Sequence, residues 1–159
     1  MIRPARPDDV PAILELIRAL AAYEREPDAV EATEQDLEQA LFGEDPSVFA
    51  HIAEDAGEPV GFALWFVNFS TWTGRHGVYL EDLFVLPEMR GRGYGRALLA
   101  GLARTCVERG YRRLEWSVLD WNEPSIAFYR SLGAVPMDEW TVYRLHGKAL
   151  EELGSAGAG

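Results

Sequence analysis

The sequence predicts a single α/β domain with a mixed sheet, and three observations carry that prediction. Its elements run β-α-α-β-β-β-α-β-α-β without an internal repeat. Two strand patterns flank the turn "AGEP", the mark of a hairpin. A β-branched and aromatic run, "VYLEDLFVL", leads through a glycine-rich turn into an apolar helix. With 159 residues, 48% of them hydrophobic, the chain has the material for one core.

Each element has a local cause. "IRPA" reads as a short first strand. Asp8 is placed to cap a helix whose apolar positions Val10, Leu14, Ile17 and Ala21 recur at helical spacing, with Pro11 tolerated in the first turn. Thr33 and Asp36 form a capping-box pattern for a second helix, which Gly43 ends. "SVFAHIAED" and "VGFALWFVNF" are the hairpin strands. After the loop "STWTGRHG" comes the central strand "VYLEDLFVL", which Pro87 ends. A helix follows from about Arg92 to Glu108, with Gly110 as its stop. "RRLEWSVL" is the next strand. Asn122 caps a further helix, with Pro124 in its first turn and Gly133 at its end, and a last strand or two runs through "EWTVYRL". Residues 1–150 form the domain, and 151–159 read as a disordered tail.

Composition narrows the function. Lys plus Arg number 15 and Asp plus Glu 26, for a net charge of −11, which argues against nucleic acid as a partner. An anion site in so acidic a chain must bring its positive charge locally. There is no apolar run of membrane-spanning length, and the N-terminal stretch lacks the layout of a signal peptide, so the expected compartment is the cytoplasm. The single cysteine, Cys106, falls at helical spacing with Leu99, Leu102 and Ala103 and reads as core. His51, His76 and His146 are scattered, so no metal is expected.

The stretch "RGRGYGR" supplies the local charge. Gly91, Gly93 and Gly95 alternate with arginines ahead of a helix, so backbone amides can approach a phosphate at the helix's positive end. The loop lacks the Gly-x-Gly-x-x-Gly spacing of a dinucleotide site and the Gly-Lys-Ser/Thr ending of a P-loop. Glu81 and Asp82 interrupt an otherwise hydrophobic strand. Strand alternation sends them to opposite faces, where each needs a partner, either an arginine of a neighbouring strand or a cationic ligand.

Arg90-Gly91-Arg92-Gly93-Tyr94-Gly95, entering a helix straight after a strand, resembles the acetyl-CoA pyrophosphate loop of the GNAT N-acetyltransferases. "YLEDLFV" and "WNEPSIAFYRSLGA" extend the likeness to the diamine (spermidine/spermine) branch of that superfamily. The resemblance implies a GNAT fold with a mostly antiparallel central sheet flanked by helices, acetyl-CoA as co-substrate, a small amine as acceptor and a homodimer. It also implies roles. Tyr129 is the general acid at the coenzyme sulfur, and Glu81 the base, acting through water. The backbone of Leu83, Phe84 and Val85, the loop Arg90 to Arg96 (Arg90, Gly91, Arg92, Gly93, Tyr94, Gly95, Arg96) and Asn122, Pro124, Ser125 and Tyr129 hold the coenzyme. Tyr23, Glu24, Trp72, Glu81 and Asp82 line the acceptor site. Two other readings fit the same residues: a binding module that holds CoA without turnover, and an acetyltransferase acting on a protein or peptide.

Overall fold

A computed structural model describes residues 1–157. The chain divides into two compact units, Met1–Leu119 and the residues from Asp120 onward.

The first unit is a five-stranded sheet with helices on both faces. Its strands are β1 (Ile2–Pro4), β2 (Phe49–Asp55), β3 (Glu58–Ser70), β4 (Arg75–Val85) and β5 (Leu114–Glu115), lying side by side in that order. The first three pairings are antiparallel and β4 with β5 is parallel, so the sheet is mixed and mostly antiparallel, as expected. Helix α1 (Val10–Tyr23) and helix α2 (Glu34–Phe42) cover one face. There Ile13, Leu14, Leu16, Leu20, Leu37 and Leu41 meet Ala50, Ile52, Phe62, Leu64 and Phe84 in one buried cluster. Helix α3 (Tyr94–Arg109) packs on the sheet's other face through Leu98, Leu99, Leu102 and Cys106.

The local causes are mostly those read from the sequence. Thr33 and Asp36 make the reciprocal capping box, each side chain accepting from the other's backbone N–H at 3.1 and 2.9 Å. Gly110 closes α3 in the left-handed conformation. At the start of α1 the acid that matters is Asp9, not Asp8. A short 3-10 turn, Pro7–Asp9, precedes the helix, and the buried Asp9 carboxylate accepts from the Arg6 backbone N–H at 2.7 Å. It also takes a two-point ion pair from Arg3 at 2.7 and 2.9 Å, and the Arg3 Nε donates to Glu54. This network stitches β1 to β2 and to the entry of α1. The arginine holds the Asp9 carboxyl below its ordinary range.

The second unit contains helix α4 (Glu123–Ser131) and helix α5 (Gly147–Ser155). Three expectations change after β4. "RRLEWSVL" is regular only at Leu114–Glu115. No strand forms among the described residues of "EWTVYRL", where Trp140, Val142 and Tyr143 are exposed. A strand pattern becomes a strand only when a neighbour accepts its hydrogen bonds. The expected tail from residue 151 is helical through Ser155, because "KALEELGS" is rich in helix formers and sets Lys148 one turn from Glu152. Residues 158 and 159 of that tail lie outside the described residues.

Candidate active site

The geometry of the site begins with an irregularity in β4. Leu80 pairs with Trp65 and Asp82 with Leu64, so Glu81 is one residue too many, a β-bulge. Neighbouring residues of β3 face opposite ways, and the bulge therefore turns β4 over. Leu80 lies on the α3 face with Trp65, whereas Asp82 joins Leu64 and Phe84 on the α1 face. Glu81 is exposed and Asp82 half-buried. One carboxylate out and one in is what alternation predicts, but the physical cause is the extra residue.

Among the described residues no arginine, lysine or histidine lies within ion-pair distance of Asp82, Glu81 or Glu24. Partners from neighbouring strands, the structural alternative for these acids, are thus missing. Burial pushes the Asp82 carboxyl up to about 6, and the negative charges of Glu81 and Glu24 reinforce the shift. Glu24, immediately after α1, is itself raised by burial. The fold thereby groups three carboxylates that repel one another, which suits a cationic guest.

Arg90, expected as a coenzyme contact, reaches the ends of β4 and α1. Its Nε donates to the Val85 carbonyl at 3.0 Å, and its guanidinium lies 4.9 Å from the Tyr23 ring centre and 5.3 Å from that of Phe84. It joins the glycine loop to the end of α1. Tyr94 anchors the loop from the other side, its hydroxyl donating to Asp55 Oδ1 at 2.6 Å. That tie to the β2–β3 hairpin leaves the Tyr94 backbone, not its ring, for a ligand. Nothing in the sequence signals Asp55 in this role, since the contact joins residues far apart in the chain.

The loop itself meets the requirements for a diphosphate. Gly91 and Gly93 have φ of 78° and 89°, the left-handed region that other residues avoid, and a side chain added at either would point into open space. Gly93 is the N-cap of α3 and carries no side-chain cap, so the first-turn amides of a 16-residue helix stay available for an anion. Arg92 and Arg96 are both exposed beside it. Leu83, Phe84 and Val85 lie just upstream. β5 pairs with β4 only at Val78 and Tyr79, so the β5-facing edge of β4 from Leu80 onward has no strand neighbour among the described residues. Its backbone groups are available to a ligand that runs along it.

Trp72 is the outlying residue. It sits in the β3–β4 turn, 78% exposed. Six residues of β4 separate the strand's start from Glu81, roughly 20 Å of extended chain.

In the second unit, Asn122 is buried and caps α4, its Oδ1 accepting from the Ser125 backbone N–H at 3.3 Å. Pro124 occupies the first turn, where its missing N–H costs nothing. Tyr129 lies half-buried late in α4, its ring centre 5.7 Å from that of Phe128, and its carbonyl accepts from Leu132 and Ala134.

Comparison with known proteins supplies an independent line. The model of the acetyltransferase (GNAT) family matches residues 11–134. The thialysine N-epsilon-acetyltransferase of Bos taurus is 40% identical, over 96% of both chains. The spermidine/spermine N(1)-acetyltransferase-like protein 1 of Homo sapiens is 35% identical over 96% of this chain and 23% of its own length. Among solved structures, an integron cassette protein from the mobile metagenome of V. cholerae superposes with a TM-score of 0.82 at 28% identity, covering 98% of each chain.

Proposed function

This chain belongs to the acetyltransferase (GNAT) family, and from that premise we propose that it acetylates a primary amine of a small diamine or amino-acid-like molecule. The observation that carries the reading is Asp82, a half-buried carboxylate without an internal cation, crowded by two further acids. Burying a charge without a partner is costly, and an alkyl ammonium would relieve that cost.

The coenzyme fits the residues present. The open glycine loop, the α3 N-terminus and the bare edge of β4 offer backbone amides to a diphosphate and an extended arm. When bound, acetyl-CoA supplies an acetyl group activated as a thioester. Asp82 and Glu24, the latter next to Tyr23 in the chain, attract the acceptor's ammonium. Glu81, exposed to water on the bulge, receives the proton that the ammonium must lose before it can attack. An ammonium with a pKa of roughly 10 is almost wholly charged at neutral pH, so that deprotonation is worth about 4 kcal/mol. Amides on the freed β4 edge, at Leu83 to Val85, steady the oxygen that gains charge during transfer. By the resemblance, the Tyr129 hydroxyl provides the proton for the departing thiolate, and Asn122 and Ser125 contact the coenzyme. Trp72 is the outlying member of the acceptor set.

Transfer is direct, within a complex of both substrates, because the sole cysteine is buried in the α3 face and its thiol is pushed up by that burial. The proposal includes one catalytic domain over residues 1–150 and a cytoplasmic location, both expected from the sequence, and a homodimer, which the resemblance implies.

The deciding experiment measures thiol release from acetyl-CoA with diamines, ω-amino amino acids and peptides as acceptors. Turnover with a small amine and none with peptides is the expected result. Selective turnover of peptides, or coenzyme binding without turnover of any acceptor, would overturn the proposal in favour of the peptide or binding-module reading.

A further inference from the structure

At the opposite end of the sheet from the glycine loop, where α2 runs into β2, lies a cavity of about 270 Å³. None of its walls belongs to the glycine loop or to the acidic group. Trp65, itself buried, lies beneath it, covered by Phe49 at a ring-centre distance of 4.8 Å and by His51 at 6.0 Å. Leu41 and Phe42 of α2 close one side, and Arg109, in the last turn of α3, stands over the indole with its guanidinium 5.7 Å from the ring centre.

The hydrogen bonding of Trp65 fixes what this cavity can accept. Its indole N–H can only donate, and it donates to His51 Nδ1 at 3.1 Å. Nδ1 is therefore the ring's acceptor, and the imidazole is neutral with its hydrogen on Nε2. Burial favours the same neutral form. No protein acceptor meets Nε2 among the described residues, yet no buried side-chain polar atom lacks a partner, so this N–H is open to solvent. Arg109 is the only formal charge on the walls, and among the described residues no carboxylate lies within ion-pair distance of it. A neutral donor and a cation that rests on the Trp65 and Tyr111 rings, with no carboxylate partner among the described residues, thus stand side by side in a protein whose net charge is −11.

We propose that this cavity binds a small organic carboxylate with an apolar body. The carboxylate is received by Arg109 and the His51 Nε2–H, and the body lies against Phe49 and Phe42. The volume is at the lower end for ligand pockets, which suits a molecule of about ten heavy atoms. An amine would meet the Arg109 charge and the wrong end of the imidazole. A neutral apolar molecule would displace water from both donors without replacing it. A single carboxylate satisfies both, and its geometry matches the guanidinium fork.

Phenylacetate and its neutral isostere phenylacetamide are the probes. Saturation-transfer NMR and tryptophan fluorescence on the full chain read binding without reference to catalysis. Phenylacetate is expected to bind at least tenfold more tightly than the amide and to remain bound when acetyl-CoA is saturating. Arg109→Gln, an exposed position, is expected to lose at least tenfold in affinity. Trp65→Phe removes the bond that sets the imidazole tautomer and is expected to weaken phenylacetate more than phenylacetamide. Equal affinity for acid and amide, an unchanged Arg109→Gln, displacement by acetyl-CoA, or no binding of phenylacetate at about 10 mM would each overturn the proposal, whatever the acetylation assays give.

Discussion

Asp82→Asn exchanges a carboxyl for an amide of the same shape and so removes a titration with little change in volume. In the folded protein the carboxyl is moved from 3.8 to about 6, worth roughly 3 kcal/mol between its two protonation states. The folded state holds this proton more tightly than the unfolded chain does. The contribution of Asp82 to stability therefore falls as pH rises from about 4 to about 6, and stays low above that. The Asn variant lacks this dependence. Its stability relative to wild type will rise across the same interval, by roughly 2.4 kcal/mol between about pH 4 and pH 8. Urea unfolding of both proteins at closely spaced pH values measures the difference directly, and other titrating groups largely cancel in it. Any constant effect of the amide displaces the curve without bending it. A difference that stays flat from pH 4 to pH 8 would refute the argument and show that Asp82 is ionised in the folded protein as readily as in the open chain. A saturating cationic acceptor is expected to flatten the wild-type curve as well, since it supplies the missing counter-ion.

Three further outcomes follow, two from geometry already described and the third from the role proposed for Tyr129. Arg3→Met leaves the buried Asp9 and the half-buried Glu54 without their shared cation and is expected to cost about 3–5 kcal/mol in urea unfolding at neutral pH; a loss below about 1 kcal/mol would mean the network contributes no more than a surface pair. Gly93→Ala forces a side chain into a φ of 89°, with about 1–2 kcal/mol of strain, and sets a methyl group in the open space above the loop; calorimetric titration is expected to show a loss of at least tenfold in acetyl-CoA affinity, and an unchanged value would remove the loop from the coenzyme site. Tyr129→Phe is expected to lower single-turnover acetyl transfer by about 10²–10⁴-fold while coenzyme affinity moves by about 1 kcal/mol; near-normal transfer would end the assignment of Tyr129 as the acid.

Features that depend on a few adjacent residues were legible in the sequence. The Thr33–Asp36 box, the β2–β3 hairpin, the Gly110 stop and the Asn122 cap each rest on side-chain chemistry acting within one turn. The burial of Cys106 followed from helical spacing in the same way. What escaped depends on partners distant in the chain. The bulge at Glu81 exists only relative to Trp65 and Leu64, and no pattern within "VYLEDLFVL" marks it. "EWTVYRL" has the composition of a strand but pairs with no strand among the described residues. The glycine turn into α3 was recognisable from its residues, whereas the engagement of Arg90 with Tyr23 and Phe84 needed the end of α1 brought alongside.

The extra residue in β4 also separates architecture from chemistry in a way that bears on insertions and deletions. Excising most residues of a strand shifts everything beyond them by one place and exchanges inside for outside. Excising Glu81 does the opposite. Trp65 would still face Leu80, Leu64 would still face Asp82, and the ladder would close over the gap as an ordinary antiparallel pair. Both sheet faces keep their packing, and only the exposed carboxylate leaves. Glu81 thus behaves as an inserted residue carried by an otherwise complete scaffold, and a chain of 158 residues with the same core is one codon away.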